Sequence, residues 1–479
     1  MKKFVVLFVA VMLALPVMSY AGSATSRWDL TIGGMVKVDV AYVDQAINQD
    51  LTNAERQAGP GNTSSRDKWG NLGWGAGETR LNFLVKGPDT WGAKTSAFVE
   101  FDFRSMTSNA ISAAARNNVE DYGLANLRHA FMKFDWPTFS LVMGRTWQVP
   151  GVQPCFCLLG VNEIGPFNKG GLPIQIYGTW QATKQFSVTA GVMSPSPENS
   201  WPNGTIANGI AADDGMNRIG KALPLFFTEL AYKTDACGKI GPWMLQFAVG
   251  GAYGRENPIA PATLGPDGDI NSAAATNTVS AGTGVQYWNQ AGYANDTVDV
   301  WLATFRTYIP IIPEKAPGKL AGSLGFAATG FTGQDIRRFA GAPGYQLTAY
   351  SYNRADYSGT AGANTVAHPV ADHHAPTGSG GWGQLTFYFT DTVWTGFYYG
   401  TVQYNLSQNR KNVISPGSVE RQDQYTVNLV YDPNPAIRLG LEYTYIMTHF
   451  SRNLYAQSSG SLTSQGSVNM IRFGAQYFF

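Results

Sequence analysis

Charge is what this sequence has least of. Only 14% of its 479 residues are Asp, Glu, Lys or Arg, where a soluble globular domain carries roughly a quarter. The 34 Lys and Arg are balanced by 33 Asp and Glu, which excludes the concentrated basic face that nucleic-acid binding needs. Cysteine is nearly absent too, with only Cys155, Cys157 and Cys237. A domain stapled by disulfides carries more, in even number. Cys155 and Cys157 flank a single Phe, too close for an unstrained bridge, and no histidine near them in sequence completes a metal set. Buried free thiols are expected, with no metal and no cofactor. Apolar runs of about 20 residues are missing beyond the N-terminus, so membrane-spanning helices are excluded. What the chain does have is glycine (54), 13% aromatics and 44% hydrophobic residues. Disorder needs the opposite composition. Abundant apolar and aromatic residues without long apolar runs fit a transmembrane β-barrel.

The N-terminus reads as an export leader. Lys2 and Lys3 precede an apolar stretch from Phe4 to Met18, and Ser19-Tyr20-Ala21 supplies small residues at the −3 and −1 positions of a cleavage site. A signal peptide over 1–21 is therefore expected, with a barrel domain over 22–479. Without Lys2 and Lys3 the mature chain holds 32 basic and 33 acidic side chains. No cysteine follows the cut to carry a lipid.

Period-two alternation runs through the rest. Leu30, Ile32, Val36, Val38, Val40 and Tyr42 alternate with Asp29, Thr31, Lys37 and Asp39 over about 15 residues, where a typical strand has five or six. The same dyad sets Leu81 and Phe83 against Arg80 and Asn82. It sets Val99, Phe101 and Phe103 against Glu100, Asp102 and Arg104. Trp243, Leu245, Phe247, Val249 and Tyr253 oppose Gln246 and small residues, and Leu439, Leu441 and Tyr443 oppose Arg438, Glu442 and Thr444. In a soluble sandwich the apolar face is inside; around a wet lumen the polar face is.

Sixteen strands are predicted. They are 28–43, 78–86, 91–104, 122–134, 138–146, 171–182, 185–194 and 223–233 in the first half. The second half holds 242–254, 296–309, 319–332, 381–390, 393–407, 420–431, 437–449 and 466–479. The connections alternate between short turns such as Thr390-Asp391-Thr392 and long polar loops such as 255–295 and 333–380. Short periplasmic turns at one end and long extracellular loops at the other are how outer-membrane barrels are built, and an even strand count leaves both ends periplasmic.

The closing segment sharpens this reading. Ile471, Phe473, Ala475, Tyr477 and Phe479 alternate with polar or small residues up to the terminal aromatic. This resembles the C-terminal signal by which the barrel-assembly machinery recognises outer-membrane barrels. Thr79–Gly87 resembles the second strand of the general porins, and Leu127–Phe134 with Phe139–Arg145 resembles their next hairpin. The resemblance covers about 78–170 and the chain end, and is greatest to the homotrimeric porins of Desulfovibrio-like sulfate-reducing bacteria. It implies an all-β, 16-stranded antiparallel barrel, a homotrimer in outer-membrane lipid and lipopolysaccharide. The implied function is passive diffusion of small hydrophilic solutes and ions.

In that family, arginines matching Arg80 and Arg128 line the basic side of a constriction, opposite acids on a third loop folded into the lumen. Here that loop is 147–170, and it is too apolar to sit in water: Val149, Val152, Cys155, Phe156, Leu158, Leu159, Val161 and Ile164. Glu163 is its one carboxylate, so Arg80 and Arg128 facing Glu163 would set a transverse field. Further lumen candidates are Lys37, Asp39, Lys86, Glu100, Asp102, Arg104, Arg438, Glu442 and Arg472, of mixed sign. Such charges tune which ions pass.

Other readings are weaker. His129, His368, His373, His374 and His449 fall in no hydrolase motif, so no enzyme is expected. A sheath around a multihaem partner would need a wider lumen, and the chain lacks a Cys-x-x-Cys-His site. A sugar- or organic-acid-selective porin would carry a file of lumen aromatics, for which Tyr177, Tyr388, Tyr398 and Trp382 are the candidates.

Overall fold

A computed structural model describes residues 28–44, 70–105, 124–151, 153–156, 172–194, 224–256, 298–334, 336, 377–405, 419–450 and 465–479. Every regular element among them is a strand. They are β1 (Asp29–Val43), β2 (Asn71–Gly75), β3 (Arg80–Lys86), β4 (Lys94–Ser105), β5 (Leu124–Asp135), β6 (Phe139–Arg145), β7 (Ile174–Gln181) and β8 (Phe186–Met193). The sheet continues with β9 (Leu225–Ile240), β10 (Trp243–Glu256), β11 (Val298–Ile312), β12 (Leu324–Gln334), β13 (Thr377–Tyr388), β14 (Val393–Asn405), β15 (Val419–Asn434), β16 (Ile437–Phe450) and β17 (Gln465–Phe478).

From β3 to β17 each strand pairs antiparallel with the next, β1 pairs with both β2 and β3, and β17 pairs with β1, so the sheet closes on itself. Asn71–Gly75 lies opposite Asp39–Val43 of β1, and Arg80–Lys86 lies opposite Asp29–Met35. β2 and β3 are therefore two halves of one interrupted strand, and the barrel has sixteen. Closure leaves no exposed sheet edge.

The alternation resolves as a barrel, with the apolar face outside. Leu441 is 55% exposed while its neighbour Glu442 is 1% exposed; Val36 and Val38 are exposed while Lys37 is fully buried. At the short-turn end the outer face carries a band of rings. Trp91, Phe134, Trp136 and Phe139 pack in a run, and Phe186 packs on Tyr232, the kind of aromatic girdle that marks a membrane interface.

Four expectations need correcting. β2 went unseen because its glycines leave only Leu72 and Trp74 to carry the pattern. The connection expected over 234–241 is mostly strand: Lys239 pairs with Met244, Thr234 pairs with Leu245, and 235–238 bulge between them. Cys237 sits in that bulge and is exposed, while Cys155 is buried as expected. Beside the same register break, Trp243 packs on Tyr308 and Phe156, leaving the outward company of Leu245 and Phe247.

Candidate functional site

Buried charge is concentrated on one arc of the inner wall, from β16 and β17 through β1 to β5. Arg80 stands opposite Asp102 in the register. Between Glu100 and Phe101 the register slips, leaving Arg128 as the extra residue of a bulge in β5. A bulge re-aims side chains, and here it turns both Arg128 and His129 inward, each buried. The Arg128 Nε donates to Glu100 Oε1 at 3.0 Å and its Nη1 to Asp102 Oδ2 at 2.9 Å. Its guanidinium lies 5.5 Å from the centre of the Trp147 ring, and Asn126 donates to the other Asp102 oxygen at 3.0 Å.

Lys37 is tied to Glu78, a residue in the break between β2 and β3, and lies 3.2 Å from Asp39. Arg472 reaches Asp39 at 3.7 Å and stands opposite Glu442, which accepts from Asn428 at 3.3 Å. The arc thus gathers Lys37, Arg80, Arg128 and Arg472 with Asp39, Glu78, Glu100, Asp102 and Glu442. Burying ions costs so much that they must be paired, and pairing within the arc satisfies that demand. Arg438 lies apart, at the short-turn mouth, where it grips Asp432 at 2.8 and 2.9 Å below the Trp394 ring. Lys86 is exposed at its strand end. Glu163 and the Arg104 side chain lie outside the described residues.

The facing arc, β9 to β14, is built differently. Leu225, Phe227, Leu302, Tyr308, Phe331, Trp382, Tyr398 and Val402 are buried on it, and its one described buried ion pair is Arg306 with Glu229 at 2.7 Å, Arg255 and Asp299 pairing in an exposed position. The third loop lies on this arc. Gln175 of β7 donates to the carbonyls of Thr146 and Trp147 at 2.9 and 2.8 Å and accepts the Val149 amide at 3.2 Å. The Gly151 amide donates to Glu229 at 3.2 Å, and Thr329 of β12 donates to the Gly151 carbonyl at 3.0 Å. Gly151 has φ of 101°, and a Cβ there would sit 2.7 Å from the Thr304 methyl, so only glycine passes.

Further along, Gln246 of β10 donates to Gln153 at 2.9 Å. At Phe156 the loop meets a clamp. Its amide donates to Gln384 Oε1 at 2.7 Å, and its carbonyl accepts from Gln384 Nε2 at 2.8 Å and from Asn428 at 3.0 Å. Its ring stands edge-on to Trp243 and Trp394 at 5.6 and 6.4 Å. In ten residues the loop has passed from β7 to β15, across the lumen side of the wall, as its apolar composition predicted.

Sequence reasoning missed Glu78, Glu229, Arg306, Gln175, Gln384 and Asn428. The inward dyad Leu225, Phe227, Glu229 could have revealed Glu229, as a lone polar residue after two apolar ones on the inner face, and Gln384 follows the inward Trp382 in the same way. Ile471, Phe473, Tyr477 and Phe479 all point outward and are exposed.

No protein-family model matches this chain, and no curated protein sequence matches it. Solved structures do. The outer membrane channel DcaP of Acinetobacter baumannii is 13% identical, aligned over 96% of this chain and 99% of that one with a TM-score of 0.59. An anion-selective porin from Comamonas acidovorans (11% identity, 94% of this chain and 100% of that chain, TM-score 0.48) is also similar. So is OmpT of Vibrio cholerae (12% identity, 95% and 99%, TM-score 0.46). At such identity the first likeness carries the fold: this chain has the barrel fold of an outer-membrane channel.

Proposed function

We propose that the protein is an outer-membrane pore, a homotrimer of water-containing barrels through which small hydrophilic solutes and ions diffuse down their gradients. One observation carries this reading: the third loop is fastened across the apolar arc, leaving the charged arc as the wall that a solute meets. The motif resemblance to the homotrimeric porins of sulfate-reducing bacteria supports the trimer. The outward Ile471, Phe473, Tyr477 and Phe479 fit an assembly signal. Lipid and lipopolysaccharide then meet the exposed apolar face.

No chemical step is needed. Charged solutes pass along paired charges, so the expected ion selectivity is weak, and greasy solutes find little apolar surface to wet. The rival readings lose ground on the same geometry. Trp382 and Tyr398 face inward but lie in one packed cluster with Cys155 of the third loop, with Phe156 against it, so they form no open aromatic file. A sheath needs an unobstructed bore, and here the loop takes up space along one wall of it.

Purified protein in planar bilayers is expected to give stepwise conductance that closes in thirds at high voltage. Folded protein that passes no current would end the proposal. A second expected result concerns the charged arc. Arg128→Gln removes the positive charge that Glu100 and Asp102 share, so reversal potentials in a salt gradient should shift toward cations. An unchanged reversal potential would remove Arg128 from the conducting path.

A further inference from the structure

Three successive inward positions of β15 carry Asn428, Val430 and Asp432, and all three lead to the same point of the third loop. Asn428 donates to the Phe156 carbonyl at 3.0 Å. Val430 is fully buried against Trp394 of β14, and the Phe156 ring packs on that pair. Asp432, one step nearer the short-turn mouth, accepts the Trp394 indole N–H on Oδ2 at 3.0 Å. A buried indole needs such a partner for its N–H, and this one fixes how the ring lies.

Asp432 is itself held from β16. The Arg438 Nε donates to Oδ1 at 2.8 Å and its Nη2 to Oδ2 at 2.9 Å, a two-pronged grip that keeps the carboxylate turned toward the indole. The guanidinium lies 5.4 Å from the centre of the Trp394 ring and 5.8 Å from that of Phe478, so it covers the tryptophan as well. Ion pair, tryptophan and phenylalanine thus form one file from the mouth to the loop. The pairs Lys133–Asp135 and Lys319–Asp391 at the same end are more exposed, and among the described residues neither bonds to a ring that touches the loop.

We infer that Asp432 and Arg438 are positioning residues for the third loop: acting through Trp394, they hold the slot that receives Phe156 and thereby set the bore from its short-turn mouth. No solute has to touch them. Without the carboxylate the indole loses its one described acceptor and Arg438 its one described partner, so the ring is free to tilt and the slot to open. The consequence for permeation rests on the pore reading, whereas the seating of the loop does not.

The buried Cys155 thiol, next to Phe156 in the chain, reports the seat directly. In a full-length chain carrying Cys157→Ser and Cys237→Ser, a water-soluble maleimide should label the folded barrel slowly. Adding Asp432→Ala should speed labelling at least about fivefold, the population change that one net hydrogen bond is worth. Phe156→Ala should label fastest, and Asp432→Ala on top of it should add nothing, because the slot is already empty. Asp135→Ala, which breaks a pair elsewhere on the mouth, should label like the parent. Migration on unheated gels selects folded barrels, so that unfolding is not read as release. In liposomes, Asp432→Ala should admit larger uncharged oligosaccharides, which read the bore and not the charge at the mouth. Parental labelling in Asp432→Ala overturns the inference. So does an effect that multiplies with Phe156→Ala, since Asp432 would then reach the loop by another route. Faster labelling with an unchanged sugar limit in a permeable barrel overturns it too. Faster labelling in barrels that pass neither sugar nor current would sink the pore reading and leave the seating of the loop standing.

Discussion

Gly34→Val should yield almost no folded barrel. Gly34 sits on the seam where the sheet closes: its amide donates to the Phe479 carbonyl at 3.0 Å, and the Phe479 amide donates back at 3.2 Å. A Cβ at this position would press into the Arg80 carbonyl oxygen and lie 3.1 Å from the Phe479 ring. The exposed Phe479 ring can swing aside, but the Arg80 carbonyl is backbone held in the β3 ladder and cannot. Overpacking in a tight interior usually costs about 1–3 kcal/mol, but here the strain falls on backbone pairing that the whole cylinder shares. Heat-modifiable migration on unheated gels measures the folded fraction. A Gly34→Val protein that migrates as a folded barrel in normal yield would show that the seam tolerates a side chain. Gly92, whose added Cβ meets nothing, supplies the control: Gly92→Ala should fold, its positive φ of 76° being the one penalty.

Unfastening the third loop should enlarge the pore. Gln384 and Asn428 hold the Phe156 peptide with three hydrogen bonds, each worth about 1 kcal/mol net. Replacing both by alanine removes about 3 kcal/mol of anchoring, which raises the released population by roughly two orders of magnitude. Phe156→Ala acts on the other half of the anchor, emptying the slot between Trp243 and Trp394, a truncation that costs about 3–5 kcal/mol in a packed core. Combined in one triple variant, these changes should raise single-channel conductance severalfold and admit larger oligosaccharides in liposome swelling. Barrel stability, judged by unfolding on heating, should move less, because the ladder bonds stay in place and, on the wall itself, only the Asn428 contacts with Glu442 and the Gly396 amide are lost. An unchanged exclusion limit would mean that the loop does not define the bore.

Much of this arrangement was legible in the residues. Strand positions follow from a dyad that the bilayer and the wet interior impose from opposite sides, so β1, β16 and β17 are readable almost to the residue. The apolar content of 147–170 likewise announced a loop that leaves water. What could not be read is how inward charges pair. Arg128 acts with Glu100 and Asp102 because of a one-residue bulge in β5, and Lys37 meets Glu78 because β2 and β3 are interrupted. A periodicity argument assumes regular strands and passes over both breaks. The partner of Gln384 and Asn428 was unreadable for another reason: they serve the backbone of a residue more than 200 positions away, and no local pattern records that.

The closed seam has a kinetic side. The strands it joins, β1 and β17, lie at opposite ends of the barrel's chain, and every other pairing is between neighbours. A newly exported molecule can zip hairpin after hairpin while β1 keeps one edge bare, and that edge is a template for any stray strand. The last contact to form is also the most non-local, hence the slowest. Guarding a single ribbon edge through that wait is the task this architecture hands to whatever helps it into the membrane.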